Sequence, residues 1–198
     1  MTSEILELNP SRPAPVTATK LHKTTAAPNN RMLQSRLIGA LFLTGFLTYG
    51  AGLGLVSSVT GTPGFLSTLP AHETLLVLGA LLMLLNTAVD IGKGVLFFPI
   101  LDRHSRGTAL AYLATMIVEV VLLDIGVLAL LSLVPLAQHA ADAGAPWVSA
   151  MGSLAIAANE TAYQIGEMVL GVGCIFLCAL LYRTRLVPRF LAISGLIG

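Results

Sequence analysis

At 198 residues, with 55% hydrophobic and 11% charged side chains and a mean hydropathy of +0.83, the chain has more apolar surface than a soluble domain of its size can hide. Nothing in a formal net charge of +1 suggests nucleic-acid binding. Where the charges lie says more than their sum.

Residues 1–30 are polar, contain Pro10, Pro13, Pro15 and Pro28, and lack the short apolar run and cleavage site of a secretory signal. They read as a cytosolic disordered tail, drawn to residue 35. Its basic residues are spread out and interrupted by Glu4 and Glu7, which favours solvation over a lipid-binding patch. Residues 37–59 are long and apolar enough to cross a bilayer, and Thr60, Gly61, Thr62, Pro63 and Gly64 end them with turn chemistry. A second span is expected at about 75–100, with Pro99 near its end, and a third at about 108–134, closed by Pro135. Asp102, Arg103, His104, Ser105 and Arg106 form the polar turn between them.

After Pro135 comes a weakly polar stretch with His139, Asp142, Gly144 and Pro146, then Trp147, whose ring suits a membrane interface. Residues 148–158 are apolar but too short to cross. Fused to the next apolar segment, they would make a helix that overshoots the membrane, so they are placed near the outer surface or in a re-entrant piece. The fourth span is then about 161–182. A fifth begins at 190–198, too short to span. A helix ending in mid-bilayer leaves carbonyls unpaired, so the chain is expected to be truncated at its C-terminus.

Arg12, Lys20, Lys23, Arg31 and Arg36 precede the first span, Arg103 and Arg106 follow the second, and Arg183, Arg185 and Arg189 follow the fourth. The alternate loops hold no Lys or Arg. This positive-inside bias predicts a cytoplasmic N-terminus in an all-α, polytopic bundle of four clear spans plus the start of a fifth, a single domain over 36–198.

Ionisable groups within spans are costly and should face protein or trapped water. Asn86, Asp90 and Lys93 fall on one face of the second helix, with Asp90 within reach of Lys93. Helix bookkeeping puts Asp90 and Glu119 in one layer on the cytoplasmic side of the midplane. Asp124 and Glu167 fall slightly to the outer side, and Glu160 nearer the outer interface. One intramembrane Lys cannot neutralise Asp90, Glu119, Asp124 and Glu167 together, so at least one acid is expected to be protonated at neutral pH. Glu160, Tyr163 and Glu167 share one side of the fourth helix with Gln164 beside them, the makings of a polar groove. Two readings stand: structural pairing that locks helices together, or a proton and cation path.

Gly50 and Gly54, and Ala162 and Gly166, have the small-xxx-small spacing of close helix packing. Cys174 and Cys178 are the only cysteines and are expected to pack as small hydrophobes. His72, Glu73, His139 and Asp142 are metal-competent but not in a metal motif, and no metal or cofactor is expected. No nucleophile elbow, zinc-protease helix or phosphate loop occurs, and no catalytic residue is assigned. A lipid-modifying enzyme would need a cluster of acids and Arg. Asp102, Arg103, His104 and Arg106 come nearest, and the positive-inside bias already explains them.

Residues 37–50 (LIGALFLTGFLTYG), 94–106 (GVLFFPILDRHSR), 109–112 (ALAY) and above all 177–198 (LCALLYRTRLVPRFLAISGLIG) resemble a family of bacterial integral membrane proteins known as domain of unknown function 4386. The resemblance implies a helical bundle continuing past Gly198 and a bacterial inner membrane, but no reaction. It also implies an Arg where this chain has Met116, and apolar residues where Asp90 and Lys93 stand; Asp124 and Glu167 are likewise unusual. The expected partner is the lipid bilayer, with no nucleic acid and with homo- or hetero-oligomerisation left open. Proton or small-solute transport is the first functional reading. A non-catalytic structural or regulatory subunit is the second, and a lipid-modifying enzyme the third.

Overall fold

The computed structural model describes residues 28–143 and 146–184, which form five helices: α1 Pro28–Thr60, α2 Phe65–Asp102, α3 Arg106–Leu131, α4 Leu133–Ala143 and α5 Pro146–Thr184. Among the described residues four stretches are long and apolar enough to cross a membrane: Arg36–Thr60, Phe65–Asp102, Arg106–His139 and Trp147–Thr184. Large apolar side chains cover their outside, among them Phe46 at 81% exposed and Met168 at 73%. Such a surface would aggregate in water and suits hydrocarbon. The protein is an all-α polytopic membrane bundle. The expected short segment at 190–198 and most of the N-terminal tail lie outside the described residues.

Most helix boundaries lie outward of those read in the sequence, while α3 ends at Leu131, short of the expected 134. α1 begins at Pro28, before Arg36, because proline at a first helical position lacks an N–H that would be unpaired anyway. α2 starts at Phe65 rather than near 75, and Pro70 sits inside it. α5 runs unbroken from Pro146 through 158 to Thr184, so 148–158 is neither a separate surface piece nor re-entrant. Nothing between Ala158 and Thr161 can stop a helix, and membrane thickness alone does not end one. At ~1.5 Å per residue α2 and α5 are each roughly 57 Å long, well beyond a ~30 Å hydrocarbon core. Near their starts, Phe65, Leu66 and Leu69 of α2 and Val148 of α5 cluster with Leu133 and Ala137 of α4.

The turns follow local chemistry. Gly64 precedes α2 with φ +73°, a left-handed conformation that glycine takes without strain. Ser105 caps α3, its Oγ accepting from the Thr108 backbone N–H at 3.3 Å. Pro135 falls in the first turn of α4, after a one-residue break at Ser132.

α1, α2, α3 and α5 alternate in direction, each packing on the next. An added Cβ at Gly52 would lie 2.8 Å from the Gly79 carbonyl oxygen, and one at Gly79 the same distance from that of Gly52. The α1–α2 crossing is thus a backbone-to-backbone contact that only glycine permits. Gly50 and Gly54, the expected packing pair, have nothing within 4 Å of an added Cβ. Four-residue spacing is a weaker guide here than the seven-residue spacing of Gly45 and Gly52 with Val56 and Val59, which are all buried. On the other side, α3 receives α5 through small residues: Ala162 lies 3.3 Å from an added Cβ at Gly126, and Gly166 packs on Glu119. Gly52→Ala should cost about 1–3 kcal/mol by overpacking and lower the unfolding temperature in detergent. Gly50→Ala and Gly54→Ala should leave it unchanged or slightly higher, since alanine favours helix. Equal effects at 50, 52 and 54 would discount this crossing.

Two apolar clusters fill the interior. One, with Leu69, Leu76, Val127, Leu130 and Leu133, lies toward the 60–64 turn and α4. The other, with Leu101, Ala109, Tyr112, Met116 and Leu177, lies toward the end carrying Arg103, Arg106 and Arg183. Between them is a polar layer.

Candidate functional site

Asn86 and Asp90 stand one turn apart on the inner face of α2, 7% and 4% exposed, and the Asn86 amide donates to Asp90 Oδ2 at 2.8 Å. The other Asp90 oxygen pairs with Lys93 Nζ. The Lys93 ammonium also lies 4.8 Å above the Phe42 ring of α1, so its charge is satisfied by one carboxylate and one aromatic face. α1 can come this close because Gly45 faces Asn86 and Lys93: an added Cβ would be 3.0 Å from Asn86 Oδ1.

Across this triad, α3 contributes Glu119, 3% exposed. Among the described residues its Oε2 is buried with no hydrogen-bond partner. A buried polar atom without a partner is expensive to keep. α5 adds Glu167, one turn from Tyr163 and beside its hydroxyl.

These side chains line one cavity of about 370 Å³, within the usual size range of small-ligand sites. Six of the eight residues expected to form an intramembrane polar site thus come together: Asn86, Asp90, Lys93, Glu119, Tyr163 and Glu167. Asp124 and Glu160 do not line it. Asp124, elsewhere on α3, has a buried Oδ1 without a partner among the described residues, and Glu160 borders a separate cavity of about 740 Å³ near the 60–64 turn.

The expected layering of the acids changes accordingly. The antiparallel register sets Gly166 against Glu119 and Asn159 against Gly126, which brings Glu167 level with Glu119 and leaves it out of Asp124's layer. Counting from an expected span start at 161 misplaces Glu167 relative to Glu119, because α5 has no boundary there and these contacts set its register against α3. Gln164 is exposed and is not among the cavity's residues.

What the sequence does not single out is the aromatic wall. Phe42, Phe46, Tyr49 and Tyr112 all line the cavity. Tyr49 and Tyr163 stack across the gap between α1 and α5, with centroids 5.1 Å apart and planes within 16°. α1 and α5 otherwise scarcely touch among the described residues, so the cavity opens sideways there, with this ring pair at its lip. Gly45 with Tyr49, one helical turn apart, is the available signal.

Met116, where the resemblance implies an arginine, lines the same cavity at 3% exposed. The cation in it is Lys93. Elsewhere, His139 and His104 are tied by Nδ1 to the carbonyls of Pro135 and Ile100 on their own helices, at 2.8 and 3.0 Å. Among the described residues no three His, Cys, Asp or Glu side chains gather as a metal cage; the side chain of Asp142 lies outside them.

A model of the family described as Domain of unknown function (DUF4386) matches residues 37–198. The chain belongs to this family. The match takes in every residue lining the polar cavity, from Phe42 to Leu177, so the site is built wholly within the family's shared region. No curated protein and no solved structure matches the chain. Family membership brings no reaction with it, and any functional reading rests on the cavity.

Proposed function

We propose that this family member is a multi-pass protein of a bacterial cytoplasmic membrane, with its N-terminus inside, that passes protons or a small solute by way of the cavity between α1, α2, α3 and α5. The orientation is supported by the basic residues: Arg36, Arg103, Arg106 and Arg183 all belong to one end of the bundle, and the 60–64 turn at the other end has none.

The observation that carries the transport reading is Glu119. Among the described residues its Oε2 is buried without a partner, in a polar layer that two apolar clusters flank. A group that only locked helices would be expected to use its hydrogen-bonding capacity, as Asp90 does with Asn86 and Lys93. A carboxyl left open toward a cavity of ligand size instead offers a place for an arriving proton or solute.

The test is dye-reported proton flux under an imposed potential, in vesicles containing the protein, compared with Glu119→Gln. Flux in the parent that collapses in the folded variant is the expected result. No flux in the parent under any gradient would overturn the reading and turn the search to a structural or regulatory subunit, through a stoichiometric protein partner.

A further inference from the structure

The geometry points to a small organic cation, an alkyl- or arylammonium ion with apolar surface, as the solute that the cavity between α1 and α5 holds against Glu119; this rests on reading that cavity as a solute site.

Charge selects the sign. Asp90 is paired with Lys93 and accepts from Asn86, so that pair is nearly neutral as seen from the cavity. What remains is acidic: Glu119, with Oε2 unpartnered among the described residues and the residue only 3% exposed, and Glu167 at its level. An anionic solute would meet two carboxyls and one cation already engaged.

The rest of the wall selects the kind of cation. A hard inorganic ion needs about six or more oxygen ligands to replace its water. Here no metal cage forms among the described residues, and much of the lining is aromatic. Phe42, Tyr49, Tyr112 and Tyr163 line the same 370 Å³ space. Ring faces attract ammonium ions while sheltering their carbon substituents. One such contact is already present, since the Lys93 ammonium lies 4.8 Å above Phe42. Access is lateral, past the stacked Tyr49 and Tyr163, which suits a solute with apolar surface.

The experiment is calorimetric titration of the full chain in zwitterionic-lipid nanodiscs, with protein-free discs as the blank. The probes are benzyltrimethylammonium, benzenesulfonate as an anion of like size, and sodium. Saturable uptake of one benzyltrimethylammonium per chain is expected, with none for the other two, and affinity at least tenfold weaker in Glu119→Gln. Absence of saturable uptake by the parent, equal uptake of the anion, preference for sodium, or unchanged affinity in Glu119→Gln would each overturn the assignment. Should Glu119→Gln fail to fold, Tyr163→Leu is judged by the same tenfold criterion. Proton flux without cation uptake removes this inference and leaves the transport reading standing; cation uptake without any flux does the reverse.

Discussion

Removing the Asp90 carboxylate alone should destabilise the bundle by about 3–5 kcal/mol, the usual cost of breaking a buried ion pair from one side. Asp90 is 4% exposed, and its neighbour Lys93 has no other carboxylate in contact among the described residues. Asp90→Asn would leave the Lys93 ammonium in a low-dielectric cavity without its directly paired carboxylate, its remaining close contact the Phe42 ring, worth about 0.5–2 kcal/mol, with Glu119 across the cavity. The ring cannot replace the carboxylate. Removing both charges, in Asp90→Asn with Lys93→Met, takes away the uncompensated ion and should recover most of the loss. Asn86→Ala breaks one hydrogen bond, and such bonds within membranes average about 0.6 kcal/mol. It should be the mildest of the set. Denaturation of these three variants and of Lys93→Met alone, in mixed micelles, measures this directly, and losses in the double variant that equal the sum of its two singles would show that the pair is not coupled.

The two features that place the cavity have unequal visibility in the sequence. The face carrying Asn86, Asp90 and Lys93 is readable because three polar residues in an apolar helix can share a side only at helical spacing. That Glu119 meets them also follows, since α2 and α3 are joined by a short turn at 102–106 that fixes their relative depth. α5 has no such constraint. It enters through α4 and its own overhanging first turns, so its register against α3 is set by the contacts of Gly126, Ala162 and Gly166, and a sequence shows small residues without showing which of them meet. Gly50 and Gly54 illustrate the same limit: the spacing is right, yet the helix is rotated so that Gly45 and Gly52 face α2. The aromatic wall is illegible for a related reason. Phenylalanine and tyrosine in an apolar helix look the same whether they face lipid or a cavity, and only the four-helix arrangement distinguishes them.

That arrangement separates three acids that sequence alone treats alike, and so yields the sharpest functional contrast. In vesicles, Glu119→Gln should lower proton flux by about 100-fold or more, since a positioned proton-transfer group contributes ~10²–10⁴-fold. The amide keeps the size of the carboxyl and removes its ability to exchange a proton. Glu167 lines the same cavity but is exposed, and the Tyr163 hydroxyl beside it can stand in. Glu167→Gln should therefore reduce flux by a smaller factor, about tenfold, on the same proton-transfer scale. Asp124 is not part of the lining, so Asp124→Asn should conduct like the parent, with any change confined to stability. A conducting path through both Asp124 and Glu119 would make their losses similar. A purely structural role for the acids would make flux track unfolding temperature across all three variants. Ranking the three by flux at matched folded fraction distinguishes these cases, because only a path through the cavity puts Glu119 first and Asp124 last.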